Sequence, residues 1–398
     1  MSESFGHLDA NKDDKEDLFM RLAFLSAPDD VIADAGGDFA RLSGFEWKTI
    51  FDLALTSGVL PSVFNKALRL YERMIPDDVL QIQRVRLSAI AGRNVFLLQR
   101  LFEVVEFLES KGIAVVPFKG PVLAQKAYGD IAGRQFEDLD LIIERNDLSR
   151  AYALLISQGY KEKEHLSPRE VEHQIRGGWG VALVSSDGSY QVDINCGIHH
   201  SFQDISGLNE QAIWADAEWQ DLGGKKIRSI SNEQELMMLC VHASKHCWER
   251  LSWVCDVTGY IRRNRINLGL LLSDSCRYTV SRMVLVGLCL SRDVHGTILP
   301  TEIENMIKCD GRVATLAGES IDLMCCGVDI SSARELRYTL QLRESICDMV
   351  SYMSGLVFAP TLPDLRMFTL PRYLSFVYFI SRPFRLLLSR SKKIFIAV

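Results

Sequence analysis

The chain has no cysteine before Cys196, no Cys-x-x-Cys pair and no internal repeat. It also has no apolar run approaching the roughly 20 residues that a bilayer span requires. Its ten cysteines follow no repeating spacing, and its first residues, MSESFGHLDANKDDKED, are polar and acid-rich. Scattered thiols without a signal-like start argue against a disulfide framework and predict a reducing, cytoplasmic setting. Cys240, His246, Cys247 and Cys255 offer a zinc reading, but their spacing fits no standard site. Excess positive charge is missing too: 45 Lys and Arg stand against 51 Asp and Glu, a net charge of −6. That balance argues against bulk electrostatic holding of nucleic acid as the main role. At 47% hydrophobic and 24% charged, the 398 residues can build a sizeable core, as two domains or one with an added lobe.

One absence is local. No acidic residue follows Asp364, while Arg366, Arg372, Arg382, Arg385, Arg390, Lys392 and Lys393 supply seven basic ones. They alternate with Phe368, Tyr373, Phe376, Tyr378, Phe379, Phe384 and Phe395. The pattern predicts a final amphipathic helix packed on the body with its arginines in water; a weak membrane-surface contact or a nucleic-acid contact is the alternative.

The rest divides by periodicity. Residues 1–16 read as a solvated tail. Residues 17–111 form an N-terminal helical lobe, with apolar residues recurring every three or four positions, as in Phe51, Leu55, Val59 and Val63. Pro76-Asp77-Asp78 marks a helix start. Between 112 and 230 the pattern is mixed α/β. Ile113–Phe118 reads as a buried strand, Lys119-Gly120-Pro121 as a break, Val122–Tyr128 as a helix and Leu139–Ile143 as a strand. Asp147 is placed to cap a helix ending near Gln158. Tyr160–Glu164 reads as a third strand, and Val181–Val184 with Tyr190–Ile194 as a hairpin closed around Asp187-Gly188. Residues 231–398 are helical again. The fold expected is α+β and mostly helical, a small mixed sheet flanked by two helical lobes.

Asp138 and Asp140 carry the chemistry. Side chains on a strand alternate faces, so this pair points one way and Leu139 and Leu141 the other. Two close carboxylates raise each other's pKa unless a cation sits between them, and magnesium or manganese suits such oxygen ligands. A third carboxylate is available at Asp193, between Val192 and Ile194 on a strand, where it could bind metal or take a proton from an incoming hydroxyl. Lys119 and Gly120, after a strand and before a helix, suit a phosphate: glycine admits close backbone approach, and a helix start favours an anion. Arg134 is a second phosphate candidate. Such a set suits phosphoryl or nucleotidyl transfer. An isolated Asp-x-Asp is common in solvated loops; the placement on an apolar strand, after a Lys-Gly turn and before a third acid, is what distinguishes this one.

The run PFKGPVLAQKAYGDIAGRQFEDLDLIIERNDLSRAYALLISQGY resembles the core of the uncharacterised bacterial nucleotidyltransferase family of the polymerase-β-like superfamily. Leu53-Ala54, Gly58-Val59-Leu60-Pro61, the segment ELMMLCVHASKHCWERLSWVCDVTGYI and Arg382-Pro383 extend the resemblance over most of the chain. It implies metal-dependent transfer from an NTP, with Asp138 and Asp140 as metal ligands and Asp193 as the third acid. Two departures stand out. Lys119-Gly120 occupies the place of the superfamily's Gly-Ser, and Asp193-Ile194-Asn195-Cys196 replaces an acid followed by Leu-His-Trp, leaving His199 or His200 to substitute for the missing histidine.

His242 and His246 share a helix face, with Lys245 beside them and Asp256 beyond. This cluster reads either as a wall of the nucleotide site, with Lys245 or His246 near phosphate or base, or as a polar pin between helices and the α/β unit. Trp248 and Trp253 read as core. Three functional readings follow: a nucleotidyltransferase acting on a protein, RNA, peptide or small-molecule hydroxyl; a catalytically degenerate relative that binds a nucleotide or partner; and a membrane or RNA adaptor using the basic C-terminus.

Overall fold

A computed structural model describes residues 12–28, 39, 42–177, 180–197, 210–326, 332–367, 374 and 376–388. Four helices lead: α1 (Lys12–Ser26), α2 (Gly44–Thr56), α3 (Leu60–Tyr71) and α4 (Asp77–Ser110). The tail expected over 1–16 therefore gives way to helix at Lys12; residues 1–11 lie outside the described residues. A capping box starts α2, where Ser43 and Glu46 satisfy each other's backbone N–H groups. Pro76 precedes the first turn of α4, where Asp77 and Asp78 complement the helix dipole.

The α/β unit begins with β1 (Val115–Phe118) and the short helix α5 (Gly120–Leu123), which continues as a π-helical turn over Ala124–Tyr128. Then come β2 (Asp138–Ile143), α6 (Arg145–Ser157), β3 (Lys161–Glu162), α7 (Pro168–Arg176), β4 (Val181–Val184), β5 (Gln191–Asn195), α8 (Glu210–Ala215), β6 (Glu218–Leu222) and β7 (Lys225–Ser229). Asp147 does not cap α6. It lies inside the first turn, and Glu144 holds the cap position without a side-chain bond.

The strands form a five-stranded sheet in the order β1-β2-β5-β4-β3, and β6 pairs with β7 separately. The β2–β5 pair is parallel and sets Asp138 against Gln191 and Asp140 against Asp193; β1 runs antiparallel to β2 and sets Phe118 against Asp140. Strand alternation then sorts the side chains. Leu139, Leu141, Ile143, Val192 and Ile194 join one core beneath α4 and α6. Val116, Phe118 and Ile142 join another, and the aspartates share their face.

The remaining helices are α9 (Asn232–Lys245), α10 (Leu251–Arg263), α11 (Leu268–Arg277), α12 (Ser281–His295), α13 (Thr301–Cys309), α14 (Gly311–Cys326), α15 (Ser332–Leu342), α16 (Ile346–Phe358), α17 (Leu362–Met367) and α18 (Phe376–Leu388). The flanking helices are not independent. Side chains of α1–α3 and of α9–α14 contribute to one continuous core, with Trp47, Trp248 and Tyr260 fully buried. The fold is mostly helical α+β. Among the described residues no helix is long and apolar enough to cross a membrane.

The end of the chain reverses one expectation. The arginines of α18 are not in water: Arg382 is 2% exposed and bonded to Asp364 at 2.8 Å, and Arg385 also pairs with Asp364. Of the basic and aromatic residues named in this segment, Phe368, Arg372, Tyr373, Arg390, Lys392, Lys393 and Phe395 lie outside the described residues.

Candidate active site

A cleft of about 610 Å³ opens where the sheet face meets α4, α9, α10 and the turn between α2 and α3. Asp138, Asp140, Asp193, Lys119, Gly120 and Arg134 all line it. The pairing of β2 with β5 brings the three carboxylates to one face of neighbouring strands although Asp193 is more than fifty residues from the other two in sequence.

Charge is crowded here. Burial raises the Asp140 pKa, Lys119 opposes the rise and the Asp138 charge adds to it. Burial and the neighbouring Asp140 push Asp193 up to about 6, against a hydrogen bond from Gln191 at 2.6 Å. Lys119 answers part of this charge: its Nζ lies 3.8 Å from Asp140 Oδ2 and 3.3 Å from His242 Nδ1. Burial, then the Lys119 charge, holds His242 well below the ordinary histidine range. The ring is therefore neutral, and its Nδ1 accepts from the lysine ammonium.

Lys119 sits in an unusual backbone. Its φ is +56° and that of Gly120 is +43°. A side chain tolerates the first only with strain, whereas glycine meets the second freely. An added Cβ at Gly120 would lie 3.4 Å from the Asp138 carbonyl oxygen, an ordinary contact, so it is the positive φ that favours glycine here.

Arg134 lines the cleft and is also engaged within the fold. Its Nε and Nη2 donate to the two oxygens of Asp256 at 2.8 and 2.9 Å, and Tyr128 Oη donates to the same carboxylate at 2.8 Å. Burial works against the Arg134 charge, and the Asp256 carboxylate more than reverses that, raising its pKa. The guanidinium braces the strand entry to α10. Asn94, 1% exposed on α4, holds the same segment through Ile131 and Arg134 carbonyls, both at 2.7 Å.

Lys245 and His246 do not line the cleft; His242, one turn earlier on α9, does. His246 packs its ring 5.1 Å from His242 and 5.5 Å from Trp253. Burial and then Lys245 bring its pKa to about 4, and burial with Lys119 lowers that of Lys245. Trp248 is core, but Trp253 is a wall of the cleft. His199 and His200 lie outside the described residues.

Sequence reading missed Arg93, Arg250, Ser252 and the 55–58 turn, all on the cleft wall. Gln135 fixes that turn, donating to the Leu55 carbonyl and accepting from the Leu60 amide, both at 3.3 Å. The motif Gly58-Val59-Leu60-Pro61 was the only signal, and it carried no geometry.

The zinc reading fails on packing. Cys240, Cys247 and Cys255 are buried among apolar side chains of the core. Among the described residues no three His, Cys, Asp or Glu side chains are grouped as a metal would need. At the aspartates, Asp140 is engaged by Lys119 and Asp193 by Gln191. The oxygen-only set still fits a hard divalent cation, because burial and mutual repulsion raise two of the carboxylates and a cation relieves both.

No curated protein matches the chain significantly. A family model described as an uncharacterised nucleotidyltransferase matches residues 43–296, a span that contains every cleft residue named above. The chain thus belongs to an uncharacterised nucleotidyltransferase family and is an enzyme of the transferase type.

Proposed function

We propose that the chain transfers a nucleoside monophosphate from an NTP, with a divalent cation, to a hydroxyl on a protein, RNA, peptide or small molecule in the cytoplasm. One observation carries the reading: Asp140 stands against Asp193 in register, with Asp138 on the same strand face, in a cleft that also carries Lys119 and Gly120. Magnesium or manganese held by the three aspartates would stabilise charge on the phosphoryl oxygens. Asp193 either completes the oxygen set around the cation or takes the proton of the acceptor hydroxyl. Lys119 offers its ammonium to the triphosphate, and Arg93 and Arg250 add positive charge to the wall. Arg134 keeps β2 and α10 in place through Asp256.

A second reading has its own observation. Lys119 already supplies a cation 3.8 Å from Asp140, as a degenerate chain that binds a nucleotide or partner without turnover would arrange it. Incubation of a cell extract with each labelled NTP and magnesium, comparing wild type with Asp138→Ala/Asp140→Ala, separates the two. Labelled acceptor lost in the variant supports transfer. NTP binding without labelled product or pyrophosphate supports the second reading, and absence of metal-dependent NTP binding overturns the first.

A further inference from the structure

Lys119 stands between two partners of different kinds. Its Nζ is 3.3 Å from His242 Nδ1 and 3.8 Å from Asp140 Oδ2. A committed ammonium–carboxylate hydrogen bond closes to roughly 2.7–2.9 Å, so the contact with Asp140 is Coulombic and loose. The buried pair of Lys126 and Glu235 shows what a permanent ion pair looks like in this fold: 2.5 Å apart, with side chains 5% and 1% exposed. For Lys119 the imidazole is the nearer anchor. Burial, then the charges of Lys119, His246, Lys245 and Arg134, keeps that ring neutral, so its Nδ1 stays an acceptor. A small cavity of about 20 Å³ borders the same two side chains, lined by Lys119, Arg134, Leu239, His242, Trp253 and Asp256. It has the volume of about one water, room for the ammonium to draw back from Asp140 while it keeps His242. The backbone adds a third observation. Lys119 carries its side chain at a φ of +56°, where glycine would be free of strain. Strain kept at a cleft residue points to a task for the side chain that occupies it.

Resting on the nucleotidyltransferase reading, we propose that Lys119 is an exchangeable counter-ion of Asp140 and that His242 is its positioning residue. Lys119 answers the carboxylate until a divalent cation takes it, and His242 then keeps the ammonium in the cleft. One positive charge at 3.8 Å leaves the carboxylates under-compensated, since Asp140 and Asp193 both remain raised. A divalent cation brings twice the charge and accepts several oxygens at once, so it outcompetes a single ammonium for Asp140. The ammonium is not stranded by the exchange. His242 Nδ1 already holds it, and Asp256 contributes a carboxylate to the lining of the small cavity. Released from Asp140, Lys119 has its charge available for an anionic oxygen of the substrate.

Calorimetric titration of the full chain with manganese, without nucleotide, tests this. Lys119→Met removes the competing charge and should tighten manganese binding by roughly tenfold. His242→Leu leaves the ammonium only Asp140 and should weaken binding by roughly tenfold, whereas His242→Gln, which keeps an acceptor, should stay near wild type. Because His242 acts through Lys119, Lys119→Met/His242→Leu should bind as Lys119→Met does, which a merely structural histidine would not give. Lys119→Met alone decides the exchange if His242→Leu does not fold. Manganese binding by Lys119→Met no tighter than wild type overturns the proposal while leaving the nucleotidyltransferase reading in place. Equal weakening by His242→Leu with and without Lys119 overturns the positioning role. Binding by Lys119→Met but not by wild type overturns the exchange, because the ammonium is then a fixed occupant. Binding by none of these chains removes the cation reading itself and the proposal with it.

Discussion

Asp140 and Asp193 are direct partners across the parallel pairing of β2 and β5, and the pKa of each is raised. Parallel pairing puts partnered side chains on the same face, so the two carboxylates approach wherever the backbone register holds. Lys119 answers Asp140 at 3.8 Å, and the Lys163 charge opposes the rise at Asp193. Two ionisable groups forced together in a half-buried cleft with perturbed proton affinities are the pattern of a reactive site rather than of a structural ion pair.

Asp193→Asn tests the role given to the third carboxylate. If Asp193 takes the acceptor proton, the variant should bind NTP nearly as well as wild type while turnover falls by about 10²–10⁴-fold. Calorimetric titration alongside single-turnover transfer reads the two separately. A parallel loss of binding and turnover would reassign Asp193 to holding the nucleotide.

The Arg134–Asp256 pair is an internal brace. Arg134 is 11% and Asp256 2% exposed at the side chain, so removing either partner strands a buried charge. Arg134→Met or Asp256→Asn should each cost about 3–5 kcal/mol. The double variant should cost clearly less than the sum, because neither charge is then left alone. Denaturant unfolding of the three variants measures this, and additive losses would show that the pair is not coupled.

Gly259 is a contact point between α10 and the π-helical turn. A Cβ there would stand 2.5 Å from the Ala127 carbonyl oxygen, and the obstacle is backbone. Gly259→Ala should therefore destabilise by about 1–3 kcal/mol despite the better helix propensity of alanine. Because Asp256 lies one turn earlier on α10, activity should fall too. A stabilised Gly259→Ala would show that the two segments can separate at no cost.

His295 gives the fold an acid limit. Its ring is fully buried between Ser26, 3.2 Å from Nε2, and Thr258, 3.0 Å from Nδ1. Burial, then the charges of Lys66 and Arg262, lowers its pKa from 6.5 to about 3. Below pH 6.5 the unfolded chain binds a proton that the folded chain refuses, so stability is full above that pH. It falls as pH drops toward 3, by about 1.4 kcal/mol per unit. His246, at about 4, adds to the same window. His295→Gln should flatten the fall of Tm between pH 6.5 and 4, and an unchanged slope would place the acid sensitivity elsewhere.

The strand carrying Asp138 and Asp140 was legible because alternation has period two and survives in any context. Asp193 was legible because a hairpin signal surrounds it. The Lys119-Gly120 turn announced itself by composition, but its backbone did not, since a left-handed lysine leaves no mark in a sequence. The pairing of Arg134 with Asp256 was not legible, because that partner is 122 residues away, and an arginine near a phosphate site and an arginine bracing a helix have the same local surroundings. Lys245 and His246 stood out by residue type, yet the turn of α9 presents His242 to the cleft instead. At the C-terminus the alternation of arginine and phenylalanine was plain, and only its direction was wrong.

The sequence by itself determined the local devices: the mixed sheet segment, the alternation that aims two aspartates together, the helix starts and the C-terminal stripe. Each depends on periodicity or on a turn residue, so each is set by neighbours within a few positions. Tertiary structure alone decided which partners those groups meet. It paired Asp140 with Asp193, gave Arg134 to Asp256, set His242 rather than His246 beside Lys119, and turned the arginines of α18 inward onto Asp364. Such choices follow from burial, because a charge removed from water takes whichever counter-charge the packed chain brings within reach, and that is fixed only when distant segments meet.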